Sequence, residues 1–163
     1  MRGLGPLATN ELKAHLKGHG LDVTQLPSSM PVAEWSPYLR RVAVFTWPAE
    51  SEDEALRLLG LHFIRGWKRT TLGAAAAALL KLVGPVRAFP RLGGAISTSD
   101  NFTRAQTHLL SDHEARVHIN EVQGCPTYWV GVLEGGLEVL GRRGQVTLTE
   151  VVAPGATFRV TWT

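Results

Sequence analysis

The hydrophobic pattern of this chain changes period once, near residue 100, and that change restricts the fold more than any motif does. Before it, apolar residues recur at helical spacing, as in Leu12 and Leu16, and in Leu56, Leu59, Phe63 and Trp67. This is the signature of helices with one buried stripe. After it, "NFTRAQTHLL" and "EARVHINEV" alternate apolar and polar residues, as strands do. A chain that is helical first and alternating second reads as α+β, with a helical layer packed on an antiparallel sheet. At 163 residues, 44% hydrophobic and 19% charged, it has room for one domain with a core and little room for two. We therefore expect a single domain over 1–163, with about five helices, about four strands, and a Gly-rich helix between two hairpins.

Local signals place the elements. "TNELKAHLKGHG" opens on a capping Thr9 or Asn10 and ends in glycines. "PVAEWSPYLRRVAVFTWP" suggests a helix running to about Thr46, with Pro37 at a kink or in its first turn. Ser51 precedes three acids, which suit the positive end of a helix. "PTYWVGVLEGGLEVLG" returns to helix, with Pro126 at its first position. "QVTLTEVV" and "ATFRVTW" form a last hairpin around Ala153-Pro154-Gly155, whose Phe158, Val160 and Trp162 share one face.

The most apolar stretch is "TTLGAAAAALLKLVGP". A bilayer span needs roughly 20 apolar residues, whereas Leu72–Val83 is a dozen, contains Lys81 and stops at Gly84-Pro85. No membrane span is expected. A helix apolar on nearly all sides should be buried all round, so this one is expected at the centre of the helical layer. Gly131 and Gly135, spaced GxxxG, would permit close packing, for instance against that alanine helix. The start of the chain lacks the apolar region of a secretory signal. The lone Cys125 excludes an internal disulfide framework and suits a reducing, cytoplasmic setting.

Few residues point to chemistry. If Leu109 lies opposite Val117 across a three-residue loop, His108 meets His118 on the other face of the first hairpin. Two histidines make a weak metal pair, since zinc usually takes three or more protein ligands. Cys125 stands at a helix start, where a reactive thiolate would be favoured and where His118 or His62 would have to serve as its base. The bland alternative is a small buried residue. The glycines of "GGLEVLGRRG" and "RLGGAIS" lack phosphate-loop spacing. A charge of +3 and basic pairs scattered over three elements do not make a nucleic-acid face. Arg65, Lys68 and Arg69 on one helix are the best candidates for contact with an anion. Phe63, Trp67, Tyr128 and Trp129 read as core, or else as the lining of an apolar ligand pocket completed by Leu72, Ala75 and Val132.

From about Glu54 to Trp162 the ordered set "EALRLLGLHFIRGWKRTTLGAAAAALLKLVGP", "NFTRAQ", "GVLEGGLEVLG" and "GATFRVTW" resembles a family restricted largely to myxobacteria and described only as a domain of unknown function. Residues 1–50 match it more loosely than 51–163. More distantly, the C-terminal part is similar to the ligand-binding superfamily of haem-nitric-oxide sensors, vinyl-reductase-like domains and Bet3-type (TRAPP) vesicle-tethering subunits. The resemblance implies their fold and an apolar pocket. It implies neither haem nor zinc, because no Tyr-x-Ser-x-Arg motif occurs and no cysteines flank the last hairpin. No cofactor is expected. The leading expectation is a non-enzymatic cytoplasmic regulatory module, either a small-ligand sensor or a protein-interaction adaptor, as a homodimer or with another protein. The alternatives are a cysteine-dependent enzyme using Cys125 and, third, weak nucleic-acid binding.

Overall fold

The computed structural model describes residues 7–27, 29–96 and 102–163. The expectations resting on the first six residues and on Asn101 lie outside these. Helices α1 (Asn10–Gly18), α2 (Val32–Thr46), α3 (Glu52–Lys68) and α4 (Thr71–Val83) come first. Short helices α5 (Pro85–Ala88) and α6 (Leu92–Ile96) follow, joined by a 3-10 turn at Phe89–Arg91. The hairpin β1 (Ala105–Ser111) and β2 (Glu114–Ile119), helix α7 (Pro126–Val139), and the hairpin β3 (Gly144–Val152) and β4 (Gly155–Trp162) complete the chain. The expected α+β architecture is present, a layer of helices with a four-stranded antiparallel sheet.

Side chains fix several of the helix starts. The Thr9 hydroxyl accepts from the Leu12 amide, Ser51 from Glu54 and Thr70 from Gly73, each satisfying one of the orphan donors of a first turn. Helix α2 begins at Val32, so Pro37 sits inside it rather than in its first turn.

The sheet is antiparallel in the order β1-β2-β4-β3. One face carries Ala115, Val117, Ile119, Phe158, Val160 and Trp162, all buried beneath α7. The first hairpin turns through Asp112 and His113 alone, with a bulge between Leu109 and Ser111. Leu109 therefore pairs with Ala115, and His108 with Arg116, while His118 pairs with Gln106. The expected three-residue loop and the directly opposed His108–His118 pair are not formed. One residue fewer in the turn and the bulge together shift the register by two, which keeps every side chain on its face but changes its partner.

Helix α7 is the central element. It presents Trp129, Leu133 and Leu137 to the sheet cluster and glycines to α3 on its other side. A second cluster joins Leu12, Leu16, Leu39, Ala43, Leu56, Leu59 and Cys125 from α1, α2, α3 and the start of α7, with Tyr128 packed against both clusters. The helix at the centre is thus α7, and the expectation for the alanine-rich helix is corrected. In α4 only Gly73 and Ala77 are buried. Leu72, Leu79 and Leu82 are 77%, 63% and 87% exposed. The glycines of α7 do not meet α4 either. A Cβ on Gly131 would overlap the Arg57 carbonyl of α3, and one on Gly60 of α3 would overlap the Tyr128 carbonyl of α7. The α3–α7 crossing, made of backbone against backbone, occupies the centre and leaves α4 on the flank. No single helix of the described residues is long and apolar enough to cross a membrane, and α4 bends by 113° into the α5 segment.

Candidate functional site

Helix α7 carries two glutamates, the half-buried Glu134 and the exposed Glu138, and both have partners. Helix α3 supplies them. Arg57 donates from Nη1 to Glu134 at 2.5 Å, and from Nε and Nη2 to Glu54 at 2.8 and 2.6 Å. Arg65 grips Glu138 with two bonds, Nε at 2.8 Å and Nη2 at 2.6 Å. These hydrogen bonds hold the Glu54 and Glu138 carboxyls below their ordinary range and raise both guanidiniums. Both α7 glutamates are thus anchored to α3 by a planar, bidentate-capable cation.

Beside the Arg65–Glu138 clasp, an open cleft of about 320 Å³ runs between the ends of α3 and α7. Ile64, Gly135 and Val139 line it, with Arg65, Glu138, Lys68 and Arg69. The structure thus gathers Arg65, Lys68 and Arg69 around one concavity. Lys68 and Arg69 have no ion-pair partner among the described residues. A wider cleft of about 450 Å³ lies at the α1–α2 corner, with Asp22, Gln25, Glu34 and Arg41 among its lining residues.

The residues read as an apolar pocket are dispersed. Tyr128 and Val132 approach α3 at Gly60 through their backbones, while Trp129 belongs to the buried sheet cluster. Phe63 is 39% exposed with its ring 6.5 Å from that of Tyr128, and Trp67 is half-buried. Leu72 and Ala75 stand exposed on α4. The indole Nε1 of Trp129 is buried without a hydrogen-bond partner among the described residues.

Cys125 caps α7 from inside the N-terminal cluster and is fully buried. Burial pushes its thiol up, an effect the nearby Arg40 charge opposes. His118 instead shares a 3.2 Å hydrogen bond with Thr157, and the His62 ring lies 5.5 Å from that of Trp47. No group of three or more metal-ligating side chains occurs among the described residues.

Three features escaped the sequence reading: the contribution of Gly60 to the helix crossing, the pairing of α7's glutamates with α3's arginines, and the exposed stripe on α4. The first left a trace, a glycine inside an otherwise strong helical run. The second left the acidic residues of an otherwise apolar helix, which needed partners that spacing alone could not name.

The fold is that of the H-NOX class. The chain is similar to a mutant of T. tengcongensis H-NOX, with a TM-score of 0.69 at 13% identity over 98% of this chain and 91% of that one. It is similar to an oxygen-binding H-NOX domain related to soluble guanylate cyclases, in its oxygen complex (TM-score 0.69, 13% identity, 99% and 89% covered). It is also similar to an H-NOX protein from S. oneidensis in the Fe(II)NO ligation state (TM-score 0.69, 13% identity, 94% and 87% covered). Within this class of fold, the chain belongs to the family described as protein of unknown function (DUF2378), whose model matches residues 1–163. The match includes the N-terminal third, which resembled the family only loosely. A comparison with curated proteins found no match.

Proposed function

We propose that this protein is a non-enzymatic interaction module on an H-NOX-like scaffold, and that it self-associates through α4. The observation that carries this reading is the exposed stripe Leu72, Ala75, Leu79 and Leu82. Its spacing of three, four and three residues is that of a helix–helix seam. A two-fold interface needs a self-complementary patch. Antiparallel pairing of two α4 helices supplies one, because leucines near each end meet across alanines small enough for close approach. One exposed helix stripe of four residues is smaller than the roughly 800 Å² per partner of a standard interface. That size supports a reversible dimer rather than an obligate one.

Haem, bound by the H-NOX proteins of this fold class, does not fit these residues. Its iron is held by a histidine, cysteine or tyrosine. The α3–α7 cleft carries none of these. The α1–α2 cleft carries His19 and Tyr38, but it opens to solvent among charged side chains. The buried thiol, pushed up by desolvation, argues against the cysteine-enzyme alternative.

Sedimentation equilibrium over a concentration series tests the proposal. Wild type is expected to shift from monomer to dimer, and L79E/L82E to stay monomeric with unchanged helicity and melting temperature. A wild-type protein that remains monomeric at millimolar concentration overturns it.

A further inference from the structure

We infer that the α3–α7 cleft is a binding site for a small amphiphilic anion, a carboxylate or phosphate ester with a short apolar body. Its apolar lining is Ile64, Gly135 and Val139. Gly135 lets the Ile64 side chain lie directly against α7 in this floor, since a Cβ on it would stand 2.7 Å from Ile64. The charged side chains around it are three cations against the single carboxylate of Glu138, an excess of two positive charges. Basic residues in the last turn of α3 are accounted for in part by the helix dipole. The dipole gives no reason for a concave apolar floor between Lys68, Arg69 and α7.

The charge arrangement explains how an anion would be held. Glu138 is committed to Arg65 by two hydrogen bonds and acts on Lys68 only through space. Lys68 and Arg69 have no ion-pair partner within 4.0 Å among the described residues. An incoming carboxylate can therefore take Lys68 and Arg69 without displacing the clasp, and its apolar portion covers Ile64 and Val139. A volume of about 320 Å³ is at the low end of the roughly 300–1,000 Å³ of ligand pockets. That suits a chain of eight or so carbons. This site is separate from the α4 stripe, so the proposal stands or falls independently of self-association.

Amide NMR titration with sodium octanoate, 1-octanol and inorganic phosphate tests the inference. Octanoate is expected to move the Gly135 and Val139 amides and the Arg65 Nε–H resonance in one saturable process, and to bind more tightly than either of the other probes. Loss of two charge-assisted contacts in K68A/R69A should weaken octanoate at least about tenfold. E138Q, which releases Arg65 toward the ligand, should strengthen it. L79E/L82E should bind like wild type. The inference is overturned if octanoate shifts map to α4 or to no one place, if octanol or phosphate binds as tightly, or if K68A/R69A is without effect.

Discussion

Replacing Gly131 by alanine tests whether the α3–α7 crossing organises the fold. Alanine is the better helix former, so on propensity alone the change should stabilise by about 1 kcal/mol. The structure predicts the opposite sign. The added methyl would overlap the Arg57 carbonyl oxygen and lie 2.8 Å from the Leu61 amide nitrogen. Both are backbone atoms of a packed helix and cannot swing aside. Relief requires the two helices to separate by about 1 Å, and a gap of that size forfeits a quarter to a half of each facing dispersion contact. Overpacking of this kind costs about 1–3 kcal/mol, occasionally more, and the strain here is against backbone. With the propensity gain of about 1 kcal/mol deducted from the upper end of that range, G131A should lose up to about 2 kcal/mol, or roughly 4–8 °C in melting temperature for a domain of this size. Gly136, on the same helix, provides the control, since a Cβ there meets nothing within 4 Å. G136A should gain about 0.5–1 kcal/mol. Urea and thermal unfolding followed by circular dichroism measure both. Equal stability of G131A and G136A would refute the backbone-to-backbone crossing.

Two further expectations concern titratable groups. Cys125, buried and with its thiol pushed up by desolvation, should react with a thiol reagent at the global unfolding rate under native conditions; fast stoichiometric labelling of the folded protein would contradict its placement. The His62 imidazole is held below its ordinary value of 6.5, chiefly by burial and secondarily by Arg65 and Arg69. Because its folded pKa is the lower one, the unfolded chain takes up the proton first, and His62 makes folding less favourable as pH falls below about 6.5. Unfolding free energies at pH 7.5 and 5.5 should differ less in H62Q than in wild type; an equal pH dependence would remove His62 from the account.

How much of this molecule its sequence discloses depends on which physical property each feature uses. Helix starts at Thr9, Ser51 and Thr70 are local events, a hydroxyl accepting from an amide three residues on, and α4 spans Thr71–Val83, as its flanking residues predict. The two inward faces of the sheet are also legible, because alternation survives any even shift. The pairing is not. One residue fewer in the turn and a bulge at Leu109/Ser111 moved His108 two places from His118. Among the candidate site residues, Arg65, Lys68 and Arg69 share a helix and therefore a neighbourhood. The pocket set spans α3, α4 and α7, and its convergence depended on packing that no spacing encodes.

The alanine-rich helix shows why hydropathy alone misplaced a partner. An apolar perimeter states that a helix needs cover; it does not state who provides it. Two helices here qualify, α4 and α7, and the centre can take one. Competition for it is decided by closeness of approach. Alanine leaves a methyl at every contact, whereas Gly60 against Tyr128 and Gly131 against Arg57 bring backbone to backbone. Helix α7 also fits the other side, since Trp129, Leu133 and Leu137 meet the sheet. Its two glutamates are neutralised by arginines projecting from α3. Helix α4 has no such claim on the interior, and Leu72, Leu79 and Leu82 remain outside. The cover they lack within the chain is the physical ground for expecting it from a second copy.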